Sequence, residues 1–297
     1  MRKSIFAGLC LLMAAALSSC SSESEECVLN DQVVAQVTVH TSGFEVSQQD
    51  FSGTRATAVA DYTAVKMLTL AFYRVSDGTE VYKHTQNRDD NTTFTTFGQF
   101  SCYLPIGNYT MVVLANVGNN EITLTSPTQA SWGTNNVMDT FVNTQAVNIT
   151  STSAVNLNAT LERIVSAVAV QSTDVRPAGV THMRFTFSAG GKDFSPTTGL
   201  ATSNTGFVTT MSYTADPGST TYTGALLFLA TNEQTINVTI ETLDAADGNV
   251  LFSKTITDVP LMRNRVTTLT GSIYSALASS GSFQINSDWL ASTNINF

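Results

Sequence analysis

Apolar and polar residues alternate with a period of two along much of this chain. In residues 33–40, VVAQVTVH, the side chains of Ala35, Val37 and Val39 fall on one face and polar side chains fall between them. This period is typical of a half-buried β-strand, because successive side chains of a strand point to opposite faces. We therefore predict a strand over residues 33–40.

A hairpin is predicted next. Residues 65–75, VKMLTLAFYRV, place Leu68, Leu70 and Phe72 on one face, and the turn-forming pair Asp77 and Gly78 follows before the apolar pattern resumes. Two apolar runs separated by such a turn are a hairpin signal.

Similar runs recur to the end of the chain. We predict strands at 109–118 after a turn at 105–108, and at 161–175, where β-branched residues favour a strand over a helix. Residues 119–150 look rich in loops, with Trp132 as their anchor. Later strands are predicted near 183–189, 225–230, 236–243, 250–256 and 265–274. Their spacing fits a β-sandwich or barrel.

The C-terminal segment, about 281–297, alternates to the final residue. Its apolar positions are Phe283, Ile285, Trp289, Ile295 and Phe297. A chain end normally loses order unless something holds it, so this strand has to bury one face. It either joins its own sheet or pairs with a groove on a neighbouring subunit, as in donor-strand complementation.

The N-terminus has the layout of a signal peptide, residues 1–19. Two basic residues precede an apolar stretch, residues 5–17, that is too short to span a membrane. The order Leu-Ser-Ser-Cys that ends at Cys20 resembles the bacterial lipobox, so we expect Cys20 to carry lipid and to anchor the chain on a membrane. Residues 20–27 form an acidic tether, which resembles a surface-export signal or is a solvated linker.

Composition restricts the class of protein. The chain has 297 residues, of which 12% are charged, and its net charge is −9. That length predicts two domains after the leader. The acidic balance lacks the basic patch that nucleic-acid binding needs. With Cys10 in the leader and Cys20 lipidated, Cys27 and Cys102 remain, and they are too few for a disulfide framework although one bridge between them stays open.

No catalytic, metal or cofactor site is predicted. His40, His84 and His182 are far apart and lack metal-ligand spacing. The glycines of GGKDFS, residues 190–195, match turns better than a phosphate loop. We therefore expect a protein that is not an enzyme.

Several segments together resemble the Bacteroidales type V pilins, or fimbrillins, the major fimbrial subunit lipoproteins. The segments are RATAVADYTAVKMLTLAFYRVSDG at 55–78, NYTMVVLANVG at 108–118, LERIVSAVAV at 161–170, LMRNRVTTLTGSIY at 261–274 and SDWLASTNINF at 287–297. They cover most of the chain after the leader. The chain is shorter than the major subunits of that family.

The resemblance implies an all-β chain of two tandem β-sandwich (transthyretin-like) domains, 28–160 and 161–297. It also implies a palmitate-bearing outer-membrane lipoprotein, exported to the cell surface and built into a fimbrium with a role in adhesion. An arginine-specific protease would cut between Arg55 and Ala56 and remove residues 28–55. The C-terminal donor strand of another subunit would then fill the opened groove.

Under this scheme the partners are other fimbrial subunits, namely copies of the chain and the anchor and tip proteins. The role within the fimbria stays open, because anchor subunits keep their N-terminal strand and tip subunits lack a free donor end. A rival interpretation is a carbohydrate- or host-binding surface lipoprotein in which Trp132 or Tyr213 stacks on a sugar.

Overall fold

The structure is a computed structural model that describes residues 28–29, 32–46, 55–57, 62–90, 92, 94–275 and 284–286. These residues form strands, turns and loops, with no α-helix among them. Consequently no helix in this described part could cross a membrane. The predicted all-β class is confirmed. The predicted signal peptide and lipidated Cys20 lie outside the described residues.

The described residues form twenty-one strands. They are β1 (Val28–Leu29), β2 (Gln32–Val46), β3 (Arg55–Thr57), β4 (Val65–Arg74), β5 (Glu80–Asn87), β6 (Gln99–Pro105), β7 (Gly107–Val117), β8 (Thr123–Ser126), β9 (Gln129–Ser131), β10 (Thr140–Ile149), β11 (Val155–Arg163), β12 (Ser166–Ser172), β13 (His182–Phe187), β14 (Asp193–Ser195), β15 (Leu200–Ala201), β16 (Phe207–Ser212), β17 (Tyr222–Leu227), β18 (Glu233–Leu243), β19 (Val250–Met262), β20 (Val266–Gly271) and β21 (Gln284–Asn286).

The first half of the chain forms one nine-stranded sheet. Its order is β1-β2-β11-β10-β7-β4-β5, and β3 and β6 pair with β2 as well. The sheet curves around a core to which β2, β4, β6, β7, β10 and β11 all contribute buried side chains. The two ends of this curved sheet are therefore β5 and β6.

The second half is a sandwich of two four-stranded sheets, β17-β12-β20-β21 and β16-β13-β18-β19. Side chains from both sheets meet in one buried cluster, among them Val170, Phe185, Ile240 and Leu269. Alternate residues of β13 are buried, as expected of a strand with one face on a core.

A third buried cluster joins the two halves. It contains Trp132, which is 1% exposed, together with Ile164 from the link between β11 and β12. Phe194 and Phe228 stack there with ring centroids 4.2 Å apart. The small sheet β15-β14-β9-β8 draws two strands from each half. Trp132 is thus an anchor, as predicted, and it anchors both halves.

Most predicted strands are confirmed, with informative differences. The predicted hairpin is β4 and β5, and Gly78 in its turn has a φ of +71°. In β4 both faces are buried, because Leu70 packs in the first core whereas Ala71 and Tyr73 pack in the joining cluster.

Three segments differ from the sequence prediction. Residues 119–150 contain the ten-residue strand β10, so the predicted loop-rich character was wrong there. Strand β6 was not predicted. The predicted strand 161–175 is interrupted at Ile164 and Val165, where the chain leaves the first sheet and enters the sandwich. The division into domains at residue 160 stays a prediction.

Candidate functional site

The most unusual element is β2, an N-terminal strand that pairs along both edges with strands from much later in the chain. On one edge, residues 37–45 pair in parallel with residues 155–162 of β11. On the other edge, residues 34–40 pair antiparallel with residues 99–105 of β6. Without β2, the facing edges of β11 and β6 would lose their backbone hydrogen-bond partners, which is costly where no water can replace them.

The inward face of β2 fills the centre of the first core. Ala35, Val37, Val39 and Phe44 are each 0% exposed, whereas Gln36 on the opposite face is exposed. Alternation in β2 therefore matches the predicted alternation. Burial of Val37, Val39 and Phe44 stabilises the folded state by about 1.5–3 kcal/mol each relative to exposure to water.

Cys102 lies directly opposite Val37, on β6. It is buried and forms no disulfide with another described residue, and burial raises the pKa of its thiol to about 12. The thiol is therefore neutral at physiological pH and packs as a small apolar side chain. Cys27 lies outside the described residues, so a bridge between Cys27 and Cys102 stays an open prediction.

We call the position of β2 between β11 and β6 the β2 seat. An aromatic cluster lies at the end of this seat where Phe44 is found. Phe44 lies 5.0 Å from Phe141 and 5.5 Å from Tyr62 between ring centroids. Tyr62 and Phe141 meet edge to face at 5.6 Å. Such pairs add about 0.5–1.5 kcal/mol beyond simple burial. Phe44 belongs to the segment that cleavage at Arg55 would release, whereas Tyr62 and Phe141 would remain.

A partly buried ion pair, Arg163 with Asp139, lies against this cluster. Arg163 donates from Nε to Asp139 Oδ1 at 2.8 Å and from Nη2 to Asp139 Oδ2 at 2.9 Å. The same Nη2 donates to the Tyr62 hydroxyl at 3.1 Å. The Arg163 guanidinium also lies 5.0 Å from the centre of the Phe141 ring. Arg163 therefore fixes both aromatic residues that border Phe44.

Burial and charge shift the protonation of this group in defined directions. Burial, and after it the charge of Asp139, raises the pKa of Tyr62. Burial is the largest single influence on Arg163 and would lower its pKa, but the charges of Asp139 and Tyr62 and the hydrogen bonds to them together raise that pKa. The tyrosine thus stays neutral and the arginine charged. This group of side chains therefore has a structural role, because Arg163 holds the Tyr62 ring against β2.

Arg55 and Ala56, the residues of the predicted cleavage site, lie in β3. Their backbones pair antiparallel with Val46 and Glu45 at the end of β2. The chain therefore returns along β2 before it continues to Tyr62. The structure brings the predicted cleavage site to the end of the strand that cleavage would release.

Part of the predicted donor strand is described. Ile285 lies in β21, which pairs antiparallel with β20 of the same chain through Leu269. The other donor residues, Phe283, Trp289, Ile295 and Phe297, lie outside the described residues. Joining its own sheet was one of the two outcomes considered for this segment, and β21 adopts it.

Asp174 fixes the chain just before this segment. Its carboxylate accepts hydrogen bonds from the backbone amides of Ile273, Tyr274 and Ser275, at 2.8–2.9 Å, and from the Ser272 hydroxyl at 2.8 Å. Partial burial would raise the pKa of Asp174, but these hydrogen bonds lower it overall. The position at which the C-terminal segment leaves the sandwich is thus defined.

Sequence reasoning missed much of the β2 seat. In β6 the order Gln-Phe-Ser-Cys-Tyr-Leu-Pro alternates strictly, and Phe100, Cys102 and Leu104 are the buried members, so the period of two was a usable signal. By contrast, nothing local marks Asp139 or Arg163 as partners. Their contact depends on how β10 and β11 pair.

The remaining candidate residues are dispersed. His40, His84 and His182 lie in β2, β5 and β13, and the described residues contain no group of three or more side chains suited to a metal ion. Because Trp132 is buried and donates from Nε1 to Thr140 Oγ1, it cannot stack on a sugar. That part of the carbohydrate-binding interpretation was wrong.

Comparison with known proteins supplies a family and a fold. A family model described as "Family of unknown function (DUF6562)" matches residues 30–293. No curated protein matches the chain.

Solved structures with a similar fold come from Bacteroidales fimbrial and adhesion proteins. A Bacteroides ovatus protein described as a candidate adhesin is 11% identical, with a TM-score of 0.52 over 91% of this chain and 100% of that one. The fimbrial anchor protein Mfa2 from Porphyromonas gingivalis is 13% identical, with a TM-score of 0.47 over 88% and 100%. At 11% identity, the likeness to the Bacteroides ovatus protein establishes the fold alone.

Proposed function

We propose that this chain, which belongs to the DUF6562 family of unknown function, is a structural subunit of a cell-surface fimbria. Cleavage after Arg55 would release β2, and the C-terminal strand of another subunit would take its place. The subunit would be exported as an outer-membrane lipoprotein with lipid on Cys20. An arginine-specific protease would trigger assembly, and the fimbria would act in adhesion.

The observation that carries this proposal is the position of β2. It is an interior strand that pairs on both edges and has an inward face that is fully buried. Strand β3, the next described element, pairs with β2. Loss of β2 would leave a groove with two open edges and a row of apolar pockets. Such a groove favours an extended strand with alternating apolar side chains.

A fimbrial anchor is the second candidate. In this role the subunit would keep β2 and never polymerise through the groove. The backbone of Arg55 is paired with Val46, and this supports the anchor role, because a protease has to bind its substrate as a free extended strand. The two roles differ in whether Arg55 is cut.

The test is proteolysis of the purified chain with an arginine-specific protease. The fimbrial-subunit proposal expects a new N-terminus at Ala56 and ladders of products in SDS without boiling. Arg55→Ala should abolish both results. Arg74→Ala is a matched control, because Arg74 lies at an exposed hairpin where it pairs with Asp77; this variant should be cut at Arg55 and should polymerise like the unmodified chain.

Two results would contradict the fimbrial-subunit proposal. If Arg55 resists cleavage while the chain is folded, the anchor role is favoured. If cleavage at Arg55 yields a stable monomer, β2 is dispensable for the fold and strand exchange has no basis.

A further inference from the structure

The two ends of the first sheet, β5 and β6, face each other without a continuous ladder between them. Strand β5 pairs with β4 and β6 pairs with β2, and the named pairings of the described residues include none between β5 and β6. The curved sheet is therefore open along one seam. Open seams expose backbone groups and inward-facing side chains to whatever enters from solvent.

The side chain of Gln86 closes one end of this seam. Its Nε2 donates to the Gln99 carbonyl at 2.7 Å, and its Oε1 accepts from the Gly98 amide at 2.8 Å. The carboxamide thus takes the place of a peptide group between β5 and the start of β6. Because Gln86 is 1% exposed, this closure is a fixed part of the fold and the opening lies beyond it.

A cavity of about 450 Å³ occupies the seam. This volume is within the range of small-molecule sites, roughly 300–1,000 Å³. Aromatic rings line it from β5, β6 and the connecting loop: Tyr82, His84, Phe94 and Phe100. Hydroxyl and amide side chains complete the lining, among them Thr38 and Ser101. Among the described residues, its lining contains neither a carboxylate, ammonium or guanidinium group nor an aliphatic side chain.

Two polar groups in this lining are free to bind a ligand. The Tyr82 hydroxyl and the His84 imidazole are half-buried, and neither has a hydrogen-bond partner among the residues described here. The rings are held in place, since Tyr82 packs on Phe72 at 6.4 Å and His84 packs edge-on against Phe100 at 6.2 Å. Burial raises the pKa of Tyr82 to about 12, so its hydroxyl remains a donor at neutral pH.

We propose that this cavity binds a neutral sugar residue of a glycan. Sugar rings present apolar C–H faces that pack on aromatic rings and hydroxyls that exchange hydrogen bonds with amide, hydroxyl and imidazole groups. The uncharged lining and the net charge of −9 disfavour anionic sugars. An extended peptide would bury aliphatic side chains, for which this lining offers no aliphatic partner. The site includes one residue of β2, Thr38, so its binding is tested on the uncleaved chain.

Binding can be measured on the uncleaved full chain, purified in detergent, by saturation-transfer NMR. The probes are the methyl glycosides of galactose, N-acetylglucosamine, mannose and fucose, with methyl glucuronide as the anionic probe. At least one neutral glycoside should bind at millimolar concentration, and methyl glucuronide should not. A capped peptide of alternating threonine and valine tests the alternative of strand insertion at the seam.

Variants then locate the site. Tyr82→Phe should weaken the bound glycoside about tenfold through loss of one hydrogen bond, and Phe94→Ala should weaken it through loss of a stacking surface. Tyr103→Phe is the matched control, since Tyr103 is an exposed tyrosine of β6 outside the lining. This variant should bind the glycoside with the same affinity as the unmodified chain. Thermal unfolding of each variant verifies that the fold is intact.

The proposal is overturned if no neutral glycoside binds, or if Tyr82→Phe and Phe94→Ala both bind the glycoside as the unmodified chain does. Binding of the peptide in the absence of sugar binding overturns it in favour of strand insertion. None of these results bears on cleavage at Arg55, so the fimbrial proposal is tested separately.

Discussion

At the scale of single residues, the Arg163 side chain, next to the N-terminal strand, interacts with three other side chains. It forms the bidentate contact with Asp139, a hydrogen bond to Tyr62 and a cation–π contact with Phe141. The Arg163 and Asp139 side chains are only 17% and 15% exposed. Removal of one member would leave the other charge poorly solvated, which is why such pairs are costly to break.

Arg163→Met should lower the free energy of unfolding by about 2–4 kcal/mol. The control is Lys66→Met, which breaks the ion pair with Asp89, whose side chains are 33% and 47% exposed. That variant should lose less than about 1 kcal/mol, because exposed pairs are screened by water. Urea denaturation measures both. Equal losses for the two variants would contradict the role assigned to Arg163.

At the scale of the element, the two faces of β2 have different environments although they belong to one strand. Val37 is fully buried opposite Cys102, whereas Gln36 is exposed and its Nε2 lies 3.4 Å from the Ser101 hydroxyl. The pleat of a strand imposes this difference, since adjacent side chains point in opposite directions. The same substitution at Val37 and at Gln36 therefore compares a buried and an exposed position of one strand.

Val37→Asp should cost at least about 3 kcal/mol, because an unpaired carboxylate would enter an apolar core. Gln36→Asp introduces the same group one residue earlier and should change stability by less than about 0.5 kcal/mol. Chemical denaturation of the uncleaved chain gives both values. If Gln36→Asp proved as damaging as Val37→Asp, the register of β2 between β11 and β6 would be different from that described.

At the scale of the whole molecule, the joining cluster couples the two halves. Trp132 comes from the first half and is packed in a cluster with Phe194 and Phe228 from the second. The small sheet around it pairs β9 with β14 through Ala130 and Phe194. Because each half buries apolar surface on the other, loss of packing in this cluster should destabilise both halves.

Trp132→Ala should lower stability by about 3–5 kcal/mol. It should also speed amide hydrogen exchange in both β7 and β12, which lie in different halves. Val208→Ala, at a side chain that is 53% exposed, should be close to neutral. Exchange that accelerates in β7 alone would indicate that the halves unfold independently, and the coupling would be refuted.

The amino-acid sequence determined the all-β class and most of the strands, because the pleat forces a period of two that local residues carry. It determined the two faces of β2 for the same reason, and it determined the turn at Gly78 because glycine adopts the positive φ of +71° found there. In β4 the alternation was partly obscured, since a strand between two cores needs apolar residues on both faces.

Tertiary structure alone decided which strands meet. Three features depend on pairings between residues far apart along the chain. They are the position of β2 between β11 and β6, the partners of Arg163, and the seam between β5 and β6. Periodicity states which face of a strand is apolar, but many partners satisfy that requirement equally well. The packing of the whole core decides among these partners, so the β2 groove, the contacts of Arg163 and the cavity between β5 and β6 are defined only in the folded chain.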